Sequence, residues 1–364
     1  MSLRVAFVTV GDTSRLTGGY LFHDRVFAGL REEGIEVEEL VASGASWAEQ
    51  EEAVTRLGSE LDPQCFDVVV VDALARVVCA PWLDRWREAR PLVAMIHELP
   101  SVATVTGRGA ARERKVEEPL LRADRLITVS NNGRSILQGR GISAGRIRVV
   151  PPGFDRLASP DVGVNPCARA DAPVRVLSVA QWIPRKGILD LVRAWTARER
   201  PGAMLELIGE TDADPAYAAS VRTAIGEAYG GSITVSGPVD DTKLAAAYAA
   251  ADLFALPSRY EGYGIVYAEA LAYGLPIIAC HEGPIPELVG EEAAILVPPD
   301  DVGALSEALN LLLGNPILRG RMSIAAHRRA DHLPRWKDTV AAFQRVLEEA
   351  YALRPVRRPH RGSR

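Results

Sequence analysis

The sequence predicts an α/β protein made of two doubly wound parallel-sheet domains. Short apolar runs rich in β-branched residues alternate with longer helical patterns, which is the rhythm of βαβ units covered on both faces. The rhythm breaks once, in a stretch crowded with proline and glycine, and then restarts. The chain of 364 residues suits two domains of ordinary size, each with its own core.

In the first half the expected strands are Leu3–Val8, Glu36–Val41, Phe66–Val71, Leu92–Ile96, Arg125–Val129 and Arg146–Val150, with helices such as Tyr20–Glu33 and Ala80–Glu88 between them. These make domain 1–152. Pro151, Pro152, Gly153, Pro160, Gly163, Pro166 and Pro173 mark a linker over 153–173. Domain 174–335 restarts with Val174–Ala180, Met204–Ile208, Ile233–Val235, Asp252–Leu256, Pro276–Ala279 and Ala294–Val297. Beyond Asp300 the pattern is helical through Val302–Leu313, Pro316–Ala330 and Arg335–Leu353, and segment 336–353 is expected to pack back on the first domain. The basic tail 354–364 reads as a disordered end. Carboxyl ends of both sheets around one cleft would form the place where open α/β sheets bind ligands.

Net charge is −5, so no general attraction to nucleic acid or anionic lipid is expected. Cys65, Cys79, Cys167 and Cys280 show no C-x-x-C pairing and read as reduced and structural. The start MSLRVAFVTV has no long apolar signal region, and no run approaches the roughly 20 apolar residues of a membrane span, so the expected location is cytoplasmic. Arg108, Arg112, Arg114 and Lys115 alternate with Glu113, Glu117 and Glu118, which reads as a solvated helix face, with acceptor or peripheral membrane contact left open.

The chemistry concentrates in SRYEGYGIVYAEALAYGLPII, Ser258 to Ile278. A buried strand ends at Leu256, a loop follows, and a helix over Ile265–Tyr273 is stopped by Gly274 and Pro276. Gly264 lies at its N-terminus, where unpaired amides and the positive dipole end suit a phosphate, and Gly262 and Gly264 let the backbone approach closely. Glu261 precedes the helix and Glu269 lies in its second turn. Each carboxylate accepts from vicinal hydroxyls, so the pair fits a sugar at one end of an elongated ligand and a ribose at the other.

This stretch resembles the E-x7-E motif of retaining GT-B glycosyltransferases, family 4. Other segments follow in the family's order: LTGGY after the first strand, AMIHE, ADRLITVSNNG, IRVVPPGFD, SVAQWIPRKGILDLVRAW, LELIGE and GPVDDTKLAAAYAAADLFALPSRYEG. The resemblance implies a donor that is a UDP- or GDP-sugar, an unidentified acceptor, and no metal or cofactor. It implies that Glu261 binds donor-sugar hydroxyls, that Glu269 holds the ribose, and that Lys186 neutralises the diphosphate. Gly18 and Gly19 would approach phosphates and sugar, His97 would touch that sugar, and Val239 would neighbour the base. Gly209, Tyr263, Gly264 and Ile265 complete the implied donor site. Oligomeric state is left open.

One departure stands out: Ala180–Gln181 replaces the family's usual Gly-Arg. Glutamine carries no charge. Arg185, beside Lys186, is the substitute at hand, although consecutive loop residues often point apart. Asp212-Ala213-Asp214 resembles a D-x-D metal motif, but it leads into Pro215 at a helix start, and N-capping explains it. A dinucleotide oxidoreductase is disfavoured because neither half shows G-x-G-x-x-G after its first strand, and a serine hydrolase because G-x-S-x-G is missing. A sugar-binding protein without catalysis, favoured by Gln181, and a GT-B-like sugar-nucleotide epimerase remain as alternatives.

Overall fold

The computed structural model describes residues 3–12, 17–44, 46–103, 107–157, 172–226 and 231–353. Most of the expected linker, the basic tail and Cys167 lie outside these residues. The chain divides into two compact units, one of Met1–Pro151 with Lys337–Arg364, the other of Pro152–Trp336.

The first unit is a parallel sheet of β1 (Arg4–Val10), β2 (Glu36–Ala42), β3 (Val68–Asp72), β4 (Leu92–Ile96), β5 (Arg125–Thr128) and β6 (Ile147–Val149), in the order β2-β1-β3-β4-β5-β6. β3 and β4 are buried at every position, as expected for central strands covered on both faces. The order reverses at β1, so its neighbours are β2 on one side and β3 on the other. The helix Gly18–Glu32 follows β1, and Thr17 caps it by accepting from Tyr20 N. The helix Trp336–Ala352 packs within this unit: Phe343 meets Phe22, and Glu349 pairs with Arg125 and Arg148. At Gly29 an added Cβ would fall 2.5 Å from Val340, so the two helices touch where a side chain is missing.

Two local expectations need correction here. The span Ala80–Glu88 is not one helix; the chain forms Arg76–Cys79, turns, and restarts as Leu83–Ala89. The helix Gly107–Leu121 carries the expected solvated face, with Arg112, Arg114, Lys115 and Glu118 exposed and the Arg108 side chain outside the described residues, but Glu113 and Glu117 do not belong to it. Glu113 is bidentate to Arg76 at 2.6 and 2.8 Å, and the fully buried Glu117 accepts from Ser101 N, Ser101 Oγ and Arg140. Alternating charges conceal this because both glutamates share the inward stripe, four residues apart.

The second unit holds β7 (Val174–Val179), β8 (Ala203–Ile208), β9 (Ile233–Gly237), β10 (Leu253–Leu256), β11 (Ile277–Cys280) and β12 (Ala294–Val297), in the order β12-β11-β10-β7-β8-β9. All ladders in both sheets are parallel. Here the order reverses between β7 and β10, so the loops leaving those two strands emerge side by side. Trp182, Trp195, Tyr248, Tyr267 and Phe254 fill this unit's core. Cys79 and Cys280 are buried free thiols, whereas Cys65 is exposed and so is not the packed residue expected of it.

Candidate active site

In the second unit the site forms on the loops after β7 and β10. The first loop ends in a tight turn, Pro184–Lys186, closed by Gly187 at φ 68°. A Cβ on Gly187 would fall 2.3 Å from Pro257 O, so glycine both takes the left-handed turn and admits the second loop. The loops are then stitched together. Arg259 N donates to Arg185 O at 2.8 Å, and Arg185 Nη1 donates to Tyr260 O at 3.0 Å.

This stitching brings three charged groups together. Lys186 Nζ donates to Glu261 Oε1 at 2.6 Å, and Arg185 Nη1 lies 3.8 Å from Glu261 Oε2. The concern that Arg185 and Lys186 diverge is therefore settled: both face Glu261. Burial pushes the Glu261 carboxyl up, but Lys186 and then Arg185 outweigh it and hold the group below the ordinary carboxylate value. Both cations thus stand beside Glu261 at the carboxyl edge of the sheet.

The helix Ile265–Ala272 starts three residues beyond Glu261. Gly264 caps it at φ 100°, and a Cβ there would meet the Tyr267 ring at 2.6 Å. Tyr267 donates to Leu256 O, tying the helix to the end of β10. Ile265 is buried, while Tyr263 is partly buried against the core.

Glu269, expected to accept from ribose hydroxyls, is already engaged within the protein. Its side chain is 1% exposed, and Arg156 covers it, with Nε at 3.0 Å and Nη2 at 2.9 Å from Oε1. Tyr248 donates to Oε2 at 3.1 Å, and Arg156 also pairs with Asp241. Burial pushes the Glu269 carboxyl up against the pull of Arg156 and Tyr248. Arg156, Tyr248 and Asp241 are residues that sequence reasoning missed. The only signal for Arg156 is its position directly after the PPGFD segment.

The other residues of this unit expected at a donor site are dispersed along the same edge. Gln181 donates its amide to Glu210, and Trp182 N donates to Glu210 O at 2.8 Å. Gly209, at φ 132°, passes so close to Ala180 that a Cβ would fall 2.1 Å from its carbonyl oxygen. Val239 is partly buried against the core. Asp214 Oδ1 accepts from Tyr217 N at 3.0 Å, the capping role expected of it.

In the first unit, Gly18 and Gly19 open the helix after β1, and an added Cβ on Gly19 would lie 3.7 Å from His97 Cδ2. His97, just past β4, shares a hydrogen bond with His23 through the two Nε2 atoms at 3.0 Å. His23 Nε2 lies 3.7 Å from Asp72 Oδ2, at the end of β3.

Residues 168–329 match the family model described as glycosyl transferases group 1, and residues 52–156 that of glycosyltransferase family 4. The chain is 34% identical over 233 residues to the MMP alpha-(1->4)-mannosyltransferase of Mycolicibacterium hassiacum, covering 62% of this chain and 54% of the relative. It is 33% identical over 306 residues to the D-inositol 3-phosphate glycosyltransferase of Mycobacterium tuberculosis, covering 76% and 61%. The chain thus spans just over half the length of these curated relatives. Among solved structures it resembles a sucrose-phosphate synthase from Thermosynechococcus elongatus, with a TM-score of 0.77 and 24% identity over 96% of this chain and 99% of that one. It also resembles Anabaena HepE in complex with UDP and glucose, with a TM-score of 0.75 and 20% identity over 96% and 100%.

Proposed function

Because the chain belongs to the group 1 glycosyltransferases, we propose that it moves a hexose from a nucleoside-diphosphate sugar to an acceptor hydroxyl, with retention at the anomeric carbon. The observation that supports this best is the convergence of Lys186 and Arg185 on Glu261. Bond cleavage transfers negative charge to the leaving diphosphate. Fixed cations and helix amides stabilise that charge as it develops, without reorganising.

In this reading Lys186 and Arg185 face the diphosphate beside the amides that follow Gly264. Glu261 turns from its cations toward hydroxyls of the transferred sugar. Glu269 takes the ribose, and Arg156 is the group the ribose must displace or share. The leaving phosphate accepts the acceptor's proton on the same face, so no second carboxylate is needed as nucleophile. Positive side chains supply the charge balance, and the reaction is proposed to run without a metal. UDP- and GDP-sugars are the first donors to test, since a structural relative holds UDP.

Incubation with each donor and a panel of acceptor alcohols, followed by measurement of free nucleoside diphosphate, tests the reading. Release that depends on both substrates supports it; tight donor binding without any release refutes it. A binding protein without catalysis is the second reading. It is favoured by Gln181, which stands where the family carries arginine and spends its amide on Glu210. Isomerised donor sugar in the absence of any acceptor would instead indicate an epimerase.

A further inference from the structure

Three groups meet at the carboxyl edge of the first sheet, where its strand order reverses. Asp72, fully buried, accepts from Thr9 Oγ1 at 2.8 Å and from Leu74 N at 3.0 Å. His23 stacks on Phe27 and meets the edge of Phe7, and its Nδ1 is buried without a partner among the described residues. His97 sets its Nε2 on His23 and its ring edge-on to Phe22, while its Nδ1 makes no hydrogen bond among the described residues.

The Nε2 to Nε2 contact needs one proton, and its location decides what His97 can do. If His97 owned it, His23 would carry its own proton on the buried Nδ1, a donor with no acceptor. Its Nε2 lone pair would then face the Asp72 carboxylate at 3.7 Å. Both features cost free energy. If His23 owns it, its Nε2–H donates to His97 Nε2 with the Asp72 oxygen 3.7 Å from the same nitrogen, and its buried Nδ1 is left as an unpaired acceptor rather than an unpaired donor. His97 then carries its own proton on Nδ1.

We propose that His23 and Asp72 are positioning residues that fix His97 in the Nδ1-protonated form, so that His97 offers a hydrogen-bond donor to an oxygen lone pair of the substrate. The glycosyltransferase reading supplies only the identity of that oxygen, a sugar hydroxyl. In this form His97 cannot act as a base through Nδ1, and its Nε2 is occupied. Burial keeps both rings neutral, which preserves the arrangement at physiological pH.

The 364-residue chain, labelled with 15N-histidine at its six histidines, tests this by long-range proton–nitrogen correlation. Single His23→Phe and His97→Asn variants assign the signals. A pyrrole-type Nδ1 with a pyridine-type Nε2 at His97 is expected. In Asp72→Asn, whose amide still accepts from Leu74, the two His97 nitrogens move toward intermediate shifts and transfer falls roughly tenfold, about the worth of one hydrogen bond. A pyrrole-type Nε2 at His97 in the wild-type protein overturns the proposal. So does an Asp72→Asn variant with unchanged His97 signals. If no donor sugar yields nucleoside diphosphate, the functional reading fails, yet the nitrogen shifts still decide the tautomer.

Discussion

Lys186 and Glu261 are separated by 75 positions in the chain and by 2.6 Å in the structure. The strand order explains it. β7 and β10 are neighbours at the point where the sheet reverses, so the loops leaving them share one edge. Neither charge is solvated freely, since their side chains are 16% and 7% exposed. Lys186 has Glu261 as its ion partner, and Glu261 has Lys186 together with Arg185.

Lys186→Ala and Glu261→Ala are each expected to lower transfer at saturating donor by roughly 10²–10³-fold, the usual cost of removing one preorganised charge partner in a transition state. The two should differ in binding. Lys186→Ala loses affinity for free nucleoside diphosphate, while Glu261→Ala retains it, because the carboxylate serves the sugar. Either variant turning over at near wild-type rate removes that residue from the proposed chemistry.

Arg185 is expected to replace the cation that Gln181 lacks. Arg185→Ala should weaken nucleoside-diphosphate binding about tenfold, in line with loss of one charge-assisted hydrogen bond. Gln181→Ala should change it little, because that amide is engaged with Glu210. Titration calorimetry with UDP and GDP measures both. The reverse ranking would mean that the missing arginine is not compensated from the neighbouring position.

Arg156→Ala strips the buried Glu269 of its cation. Removing one partner of a buried pair typically costs about 3–5 kcal/mol, since the remaining charge stays out of water. Arg156 is 8% exposed at its side chain, so the cost should lie within this range, less what Tyr248 recovers. Urea unfolding at neutral pH gives the value. A loss below about 1 kcal/mol would show that Glu269 simply takes up a proton or rotates to solvent.

The strands were legible because central parallel strands are apolar on both faces and read as runs such as VVVV at 68–71. Every expected strand lies within two residues of its place. Lys186 and Glu261 were legible as motif residues, but their meeting depends on sheet order, which no local pattern encodes. Arg156 was not legible. It reaches Glu269 across 113 positions, from a segment whose prolines and glycines announce only a break. His23 was hidden for another reason: it occupies the inward stripe of an amphipathic helix, where a histidine looks like any other core-facing residue.

The histidine pair makes stability fall as pH drops below the ordinary histidine range, while the neighbouring Asp72, pushed up by burial, works in the opposite sense. Burial lowers His23 from its ordinary value of 6.5 to about 3 in the folded protein. Between those two values the unfolded chain holds a proton that the native state refuses. More protons on the unfolded state mean that stability rises with pH, so it declines as pH drops below 6.5 and keeps declining toward 3. His97 is lowered for the same first cause, with His23 adding to it, but part of its surface meets solvent and its share is smaller. The slope is at most about 1.4 kcal/mol per pH unit for each group. Urea midpoints for the wild-type protein and His23→Phe, compared between about pH 7 and about pH 5, isolate it, because most carboxylates remain ionised there. His23→Phe should flatten the decline even if it lowers stability at neutral pH. Equal slopes in the two proteins would mean that His23 takes up its proton without unfolding, and the apolar enclosure by Phe7 and Phe27 would not be what keeps it neutral.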